Sequence, residues 1–478
     1  MTLSVAYQDS AFGHFLIQEV GFVTPSFEIT MQEKQSIHGS WASRWIFILA
    51  ATGSAVGLGN IWKFPYITGE YGGGAFVLVY LICIAFVGIP IMIAEVYVGR
   101  RARQSPINAL ETVAEESGSS KSWGLIGLMG MLAGVFIFSF YSVVAGWVLQ
   151  YIQLMASGAL NGISAEEAGN TFNGLLGNPG TLLLWHTAFS IMVIFVVAAG
   201  VNAGIERATR VMMPALFVIL LVLLGYAMST DGFGHAWSFM FDFDFSKLSW
   251  DAVLVAMGHS FFTLSLGMGT IMAYGSYMPK KASIGSTVLS IAALDTIVAL
   301  IAGLAIFPII FSNGMDPAAG PGLMFISLPV AFGQMAGGQF FGFLFFVLVG
   351  VAAWTSAISL MEPTVAHLVE RFGWGRTKAT VTLGVLVWAL GIACLGSFNF
   401  MSDFHIFGKN TFDFLDYLTA NIMLPLGGIF IAVFAAWAVK AKYAKEEIQI
   451  SDTAFALWRF VTRFIAPVAV AIVFVLNL

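Results

Sequence analysis

Apolar residues in this chain come in long unbroken runs rather than in the alternating or one-sided patterns of soluble strands and helices. From about residue 44 onward these runs are roughly 20 residues long, enough for a helix to cross about 30 Å of hydrocarbon. Short polar stretches separate them. The pattern predicts eleven spanning helices, over 44–67, 75–98, 123–153, 181–201, 211–229, 251–275, 285–312, 340–362, 379–397, 414–439 and 455–476. The fold class is therefore an all-α polytopic membrane protein. Residues 1–30 carry neither a basic leader nor a long apolar core, so they do not read as a signal peptide. Met31, followed by QEKQSIHGSW, reads as a start, and the first 30 residues are expected to be dispensable.

Two of the predicted helices contradict their own surroundings. The first contains GSAVGLGNIWKFPY (53–66) and the sixth contains FFTLSLGMG (261–269), so glycines and hydroxyl residues fall at midspan. Each interior Gly costs a helix roughly 1 kcal/mol relative to Ala, and lipid offers no partner to a freed backbone group. Gly53 and Gly57 form a GxxxG, which also fits close packing of two helices. However, Thr52, Ser54, Gly57 and Asn60 point in different directions around a helix turning 100° per residue, so no single face collects them. Backbone unwound to serve as ligand explains them better. The two breaks lie five spans apart, an odd number, which predicts two inverted five-helix repeats, helices 1–5 and 6–10, plus helix 11. The expected layout is a 1–40 tail and a single transmembrane domain over 41–478. Within it, repeat one covers about 41–229, repeat two about 249–440, and the extra helix 455–476.

Composition narrows the class further. Of the 478 residues 58% are hydrophobic and 10% charged, where soluble domains carry about 25% charged residues, so a soluble enzyme is excluded. Lys and Arg gather in alternate connections: Arg100, Arg101 and Arg103 after the second span, Arg207 and Arg210 after the fourth, Lys280 and Lys281 after the sixth. Arg371, Arg376 and Lys378 continue the series, as do Lys440, Lys442 and Lys445, whereas the opposite connections hold mainly Lys247 and Lys409. This asymmetry predicts a cytoplasmic N terminus and, with eleven spans, a C terminus outside. The net charge of −5 is spread over the loops, so no nucleic-acid partner is expected. Cys83 and Cys394 fall within apolar spans and read as small core residues.

Five segments in order, GSAVGLGNIWKFPY, GGGAF (72–76), FFTLSLGMG, TSAISLMEP (355–363) and FDFLD (412–416), resemble the neurotransmitter:sodium symporter family, bacterial branch. The resemblance runs from about Trp41 through the eleventh span. It implies a sodium-coupled amino acid symporter in the inner membrane of a bacterium, and no enzymatic activity. By resemblance, a first Na⁺ is held by the Ala55 carbonyl, Asn60, Thr263, Asp295 and the substrate carboxylate. A second is held by the carbonyls of Gly53, Val56 and Ala352 with the hydroxyls of Thr355 and Ser356. All are oxygen donors, as a hard cation prefers. The substrate carboxylate is expected at the Leu58 and Gly59 amides and the Tyr141 hydroxyl, since a half-helix start turns free N–H groups toward an anion. Its ammonium is expected at Ala55, Phe262, Thr263 and Ser265. Gly57 stands where amine carriers of the family have aspartate, which implies an amino acid substrate.

The side-chain pocket implied by the resemblance comprises Ile137, Tyr141, Phe262, Ser265, Met268, Ser356 and Leu360. None is charged, so a neutral and hydrophobic or aromatic substrate fits best, because an unpaired buried charge costs several kcal/mol. A carrier of small neutral amino acids such as alanine or glycine, or a sensor that binds without turnover, are the alternatives. Ala299 replaces the family's chloride-binding serine, and Asp295 one turn earlier supplies a fixed negative charge, so no chloride requirement is expected. The outer gate implied is Lys63 with Asp416, lysine replacing the usual arginine. At the inner gate, near Trp41, His38 and Glu370 stand in place of arginine and aspartate, with Arg44 as a rival partner for Glu370. Gly204 and Pro214 match a motif of local unwinding in the fifth span. Glu95 reads as a structural hydrogen-bond partner, and His259 departs from a common glutamine. A channel would show a continuous polar lining, and the seven histidines form no HExxH. The oligomeric state is unknown from sequence.

Overall fold

The computed structural model describes residues 36–476 except 319 and 321, and the segment Gln35–Leu478 forms one compact unit. The described residues form helices joined by connections, in keeping with a backbone that must satisfy its own hydrogen bonds in lipid. Among the described residues nine helices are long and apolar enough to cross a membrane: Gly74–Ala102, Lys121–Ala156, Pro179–Ala198, Val201–Met228, Ile284–Ser312, Gly338–Phe372, Arg376–Gly396, Thr411–Ala438 and Asp452–Leu476. A tenth is bent: Arg44–Ala55 and Gly59–Glu70 meet at 53°. The pair Trp250–Thr263 and Thr270–Ser276 occupies the place of the predicted sixth span, with Leu264 to Gly269 between them. The count of eleven thus requires reading this pair as one crossing.

Both interruptions follow from local chemistry. Ser43 caps Arg44–Ala55 by accepting from the Ile46 N–H, and the helix ends where Val56 turns to φ −71, ψ 104. In the other break Ser265 (φ 55), Gly267 (φ 79) and Gly269 (φ 75) alternate through the left-handed region, which a right-handed helix cannot accommodate. Thr270–Ser276 then packs tightly on Gly74–Ala102. A Cβ added at Gly99 would lie 2.0 Å from the Met272 carbonyl oxygen, so only glycine permits that approach. Arg44–Ala55 lies against Ile284–Ser312 and Gly338–Phe372. Lys121–Ala156 is central, 78% buried over its most apolar window, whereas Asp452–Leu476 is 24% buried and faces outward. Exposed Leu184, Phe195, Val211 and Leu221 mark the lipid-facing side of two outer helices.

The structure departs from the hydrophobic pattern where helices are short or leave the membrane. Pro106–Ser117, Ala165–Leu176, Phe233–Phe241 and Ala441–Ile448 lie in predicted loops, being too short and too mixed to register as spans. Gly338–Phe372 runs ten residues past its predicted end, because its polar last turns still satisfy a helix outside lipid. The stretch from Gly204 to Pro214, expected as a place of unwinding, is helical here within Val201–Met228.

Candidate functional site

The two breaks meet Lys121–Ala156 and Gly338–Phe372 around a cavity of about 30 Å³. Ala55, Leu58, Gly59, Ile137, Tyr141, Phe262, Ser265, Met268, Ser356 and Leu360 all line it, as does Gly57. At one end the Leu58 N–H donates to the Tyr141 hydroxyl at 3.3 Å, so an amide freed by the break and a phenol converge. A Cβ placed on Gly57 would sit 2.5 Å from Ser356 Oγ and 3.0 Å from the Tyr141 hydroxyl, so no larger residue fits there. Thr263, whose carbonyl is an expected ammonium acceptor, follows the lining residue Phe262 and turns its side chain to Asp295. Ser54 and Ser359 line it although neither was expected.

Two oxygen clusters flank this cavity. In the first, Asn60 Nδ2 donates to Asp295 Oδ1 at 2.8 Å, and Thr263 Oγ1 donates to the same carboxylate at 3.1 and 3.2 Å. All three are buried, so the Asp295 carboxylate has only hydrogen bonds to offset its desolvation. In the second, Ser356 Oγ lies 3.2 Å from the Val56 carbonyl and 3.4 Å from that of Gly53, while Thr355 Oγ1 donates to the Ala352 carbonyl at 3.0 Å. The polar groups that join the end of Arg44–Ala55 to Gly338–Phe372 here are neutral oxygens. Neither cluster contains a histidine or cysteine, and among the described residues no group of three His, Cys, Asp or Glu gathers for a transition metal.

Above the cavity lies a vestibule of about 330 Å³, walled by Trp62, Tyr66, Phe140, Trp147, Phe172, Phe325, Phe398 and Phe412. Leu58, Tyr141 and Phe262 line both spaces and so form the partition between them. Lys63 and Asp416 share the vestibule wall but are not an ion pair in this conformation; Lys63 Nζ instead lies 5.1 Å from the Phe262 ring. The expected pair is thus unmade in this conformation, with both side chains on the vestibule wall. The opposite face is tied shut. His38 Nε2 is 3.1 Å from Glu370 Oε1, and the same carboxylate accepts from the Ser105 N–H and from Asn108 Nδ2 at 2.8 Å. Trp41 Nε1 donates to the Tyr274 carbonyl, with its ring edge-on to Tyr274 and Tyr277. Arg44 binds Thr287 rather than Glu370.

A family model described as the sodium:neurotransmitter symporter family matches residues 38–174 and 170–478. The chain belongs to that family. An uncharacterized sodium-dependent transporter of Bacillus subtilis is 38% identical over 94% of this chain and 99% of its own length. One from Haemophilus influenzae is 34% identical over 92% of this chain and 98% of its own. Among solved structures, MhsT in complex with L-phenylalanine superposes with a TM-score of 0.85 at 44% identity, covering 92% of this chain and all of that one. The symporter is therefore a multi-pass transporter and not an enzyme.

Several residues that hold the site gave no indication in sequence of what they bind. Glu95 accepts from the Gly267 N–H at 2.8 Å and so holds the second break from the neighbouring helix. Glu206 accepts from the Ala42 N–H, Asn202 and Arg210, fixing the approach to the first span. Ser54 stands out in sequence only as one hydroxyl of the first break and Ser359 only as part of TSAISLMEP; the fold turns both to one cavity.

Proposed function

We propose that this chain is a symporter that couples Na⁺ to the uptake of neutral, hydrophobic or aromatic L-amino acids by alternating access, without a chloride requirement. The observation that carries this reading is the cavity between the two breaks. It combines freed amides at one end, serine hydroxyls at the other, and uncharged walls, so it matches a zwitterion with a neutral side chain. L-Phenylalanine bound to MhsT, which shares 44% identity, supports the same substrate class.

In this reading the cargo ions are received by the two oxygen clusters. Asp295, Asn60, Thr263 and the Ala55 carbonyl take one Na⁺ together with the substrate carboxylate, and Asp295 supplies the local negative charge. Gly53, Val56, Ala352, Thr355 and Ser356 take the second. The ammonium goes to the Ala55, Phe262 and Thr263 carbonyls and the Ser265 hydroxyl. The cavity has room for about one water, so a substrate must displace the Phe262 and Met268 side chains as it enters. Phe262 belongs to the partition, and its swing joins cavity and vestibule. Met268, flexible and flanked by glycines, adapts the walls to the guest. The outer layer then closes through Lys63 and Asp416, after which the His38–Glu370 layer opens to release cargo. We read the two broken helices as corresponding members of inverted repeats among eleven crossings, with a cytoplasmic N terminus.

Two Na⁺ crossing 100 mV contribute roughly 4.6 kcal/mol, a limit on the order of 10³-fold accumulation of a zwitterion. The test is sodium-driven uptake into proteoliposomes with competition by all twenty amino acids and with gluconate replacing chloride. Accumulation against a gradient, inhibited by hydrophobic and aromatic amino acids and unaffected by gluconate, is expected. Binding without accumulation would mean a sensor, and competition confined to alanine and glycine would mean a carrier of small substrates.

A further inference from the structure

The floor of the cavity carries more hydrogen-bond acceptors than a substrate backbone uses, and this decides which side chains suit it. Four serines meet there: Ser54 and Ser265 from the breaks, Ser356 and Ser359 from Gly338–Phe372. All are at least nine-tenths buried. Each hydroxyl has one proton and two lone pairs. Ser265 donates to the Ser54 carbonyl at 2.9 Å and Ser359 to the Ser356 carbonyl at 2.7 Å. Ser356 lies 3.2 Å from the carbonyls of Ser54 and Val56, where its proton goes. The single Ser54 proton is left to be shared between Ser359 Oγ at 2.8 Å and Ser265 Oγ at 3.2 Å. Every proton is thus committed inward, and what the floor offers a guest is lone pairs.

We infer that this floor selects substrates whose side chain ends in a hydrogen-bond donor on an apolar ring, a phenol or an indole, with Ser54 and Ser359 as the specificity-determining residues. The inference rests on the symport reading above and deepens it. There, the Ala55, Phe262 and Thr263 carbonyls and the Ser265 hydroxyl already suffice for an ammonium's three protons, so Ser54 and Ser359 remain for the side chain. The apolar part of that side chain meets Ile137, Phe262, Met268 and Leu360, the other walls of the same cavity. The present cavity has room for about one water, which is itself a donor to these oxygens. A phenyl or alkyl side chain displaces such a water and gives nothing back. A phenol O–H or indole N–H replaces it. Sites equipped to bond a substrate hydroxyl discriminate against the analogue lacking it, because their buried polar groups are then left unpaired.

The test compares substrates that differ by the donor. The full-length protein in proteoliposomes with an inward Na⁺ gradient is assayed for kcat/KM with L-tyrosine, L-phenylalanine and O-methyl-L-tyrosine. Tyrosine is expected to exceed both others by about three- to tenfold, the worth of one net hydrogen bond. In Ser54→Ala and in Ser359→Ala the tyrosine to phenylalanine ratio is expected to fall toward one. The ratio compares two substrates on the same carriers, so any loss of folded protein divides out. Equal use of tyrosine and phenylalanine by the unsubstituted protein overturns the inference, as does an equal loss of both in the variants, which would assign Ser54 to the ammonium. Absence of sodium-driven uptake for every neutral amino acid overturns the symport reading itself, and this inference with it.

Discussion

At the scale of single residues, Gly57 is defined by the space it leaves. Ser356 Oγ stands 2.5 Å and the Tyr141 hydroxyl 3.0 Å from where its Cβ would be. Gly57→Ala is therefore expected to lower substrate affinity at least tenfold, since either the hydroxyls or the break must move; binding of radiolabelled substrate checks it. Asp295 is the opposite case, a residue defined by charge. Asp295→Asn keeps a polar partner for Asn60 and Thr263 but removes the carboxylate, so the concentration of Na⁺ giving half-maximal uptake is expected to rise tenfold or more. An unchanged sodium titration would separate Asp295 from the ion. Gly57 was legible as a glycine within GSAVGLGNIWKFPY, and Asp295 through the family resemblance, as an acid inside an apolar run. Ser54 and Ser359 were not, because small hydroxyl residues are common in membrane helices and usually bond back to the preceding turn. Their position at one cavity is a property of how two helices cross.

At the scale of elements, the breaks were readable from glycine content, while the devices that hold them were not. Gly267 sits at φ 79, and a Cβ there would meet the Leu424 carbonyl oxygen at 2.6 Å. Gly267→Ala combines a strained backbone, about 1–2 kcal/mol, with a collision against main chain. A lowered melting temperature together with lost binding is expected. Glu95 supports the same break from Gly74–Ala102 through the Gly267 N–H. Glu95→Gln retains an acceptor oxygen and is expected to keep most binding, whereas Glu95→Leu leaves that N–H unpaired at a cost of about 1–3 kcal/mol. If the two variants behave alike in binding, the hydrogen bond is not what matters. The carboxylate was visible as an oddity in an apolar span, but its partner lies in sequence 172 residues away and cannot be inferred from spacing. The short connecting helices escaped notice for a different reason: their stability comes from packing on the transmembrane body, and hydropathy does not report that.

For the whole molecule, the two ends of the helix assembly differ in what joins them, and in the proposed cycle this sets the side from which cargo enters. At the end that carries Trp41, Glu370 gathers His38 together with the Ser105 N–H and Asn108 of one helix start, two separate parts of the chain. At the opposite end Lys63 and Asp416 look into an open vestibule, and Lys63 rests on Phe262, the ring that partitions vestibule from cavity. A cation–π contact of this kind is worth about 0.5–2 kcal/mol, comparable to an exposed ion pair, so moving Lys63 from Phe262 to Asp416 is a nearly balanced exchange. In the proposed cycle, a bound substrate that displaces Phe262 removes the first partner and tips the exchange toward the second. Closure then depends on the strength of the new pair. Arginine can clamp a carboxylate with two parallel hydrogen bonds where lysine is a point charge. Lys63→Arg is accordingly expected to slow release of bound substrate toward the outside several-fold, and Lys63→Met to speed it, with the on-rate changing less. Dissociation of radiolabelled substrate in constant Na⁺ measures both. Identical off-rates in the three proteins would mean that the outer layer closes through the aromatic walls alone and that Lys63 only lines the entrance.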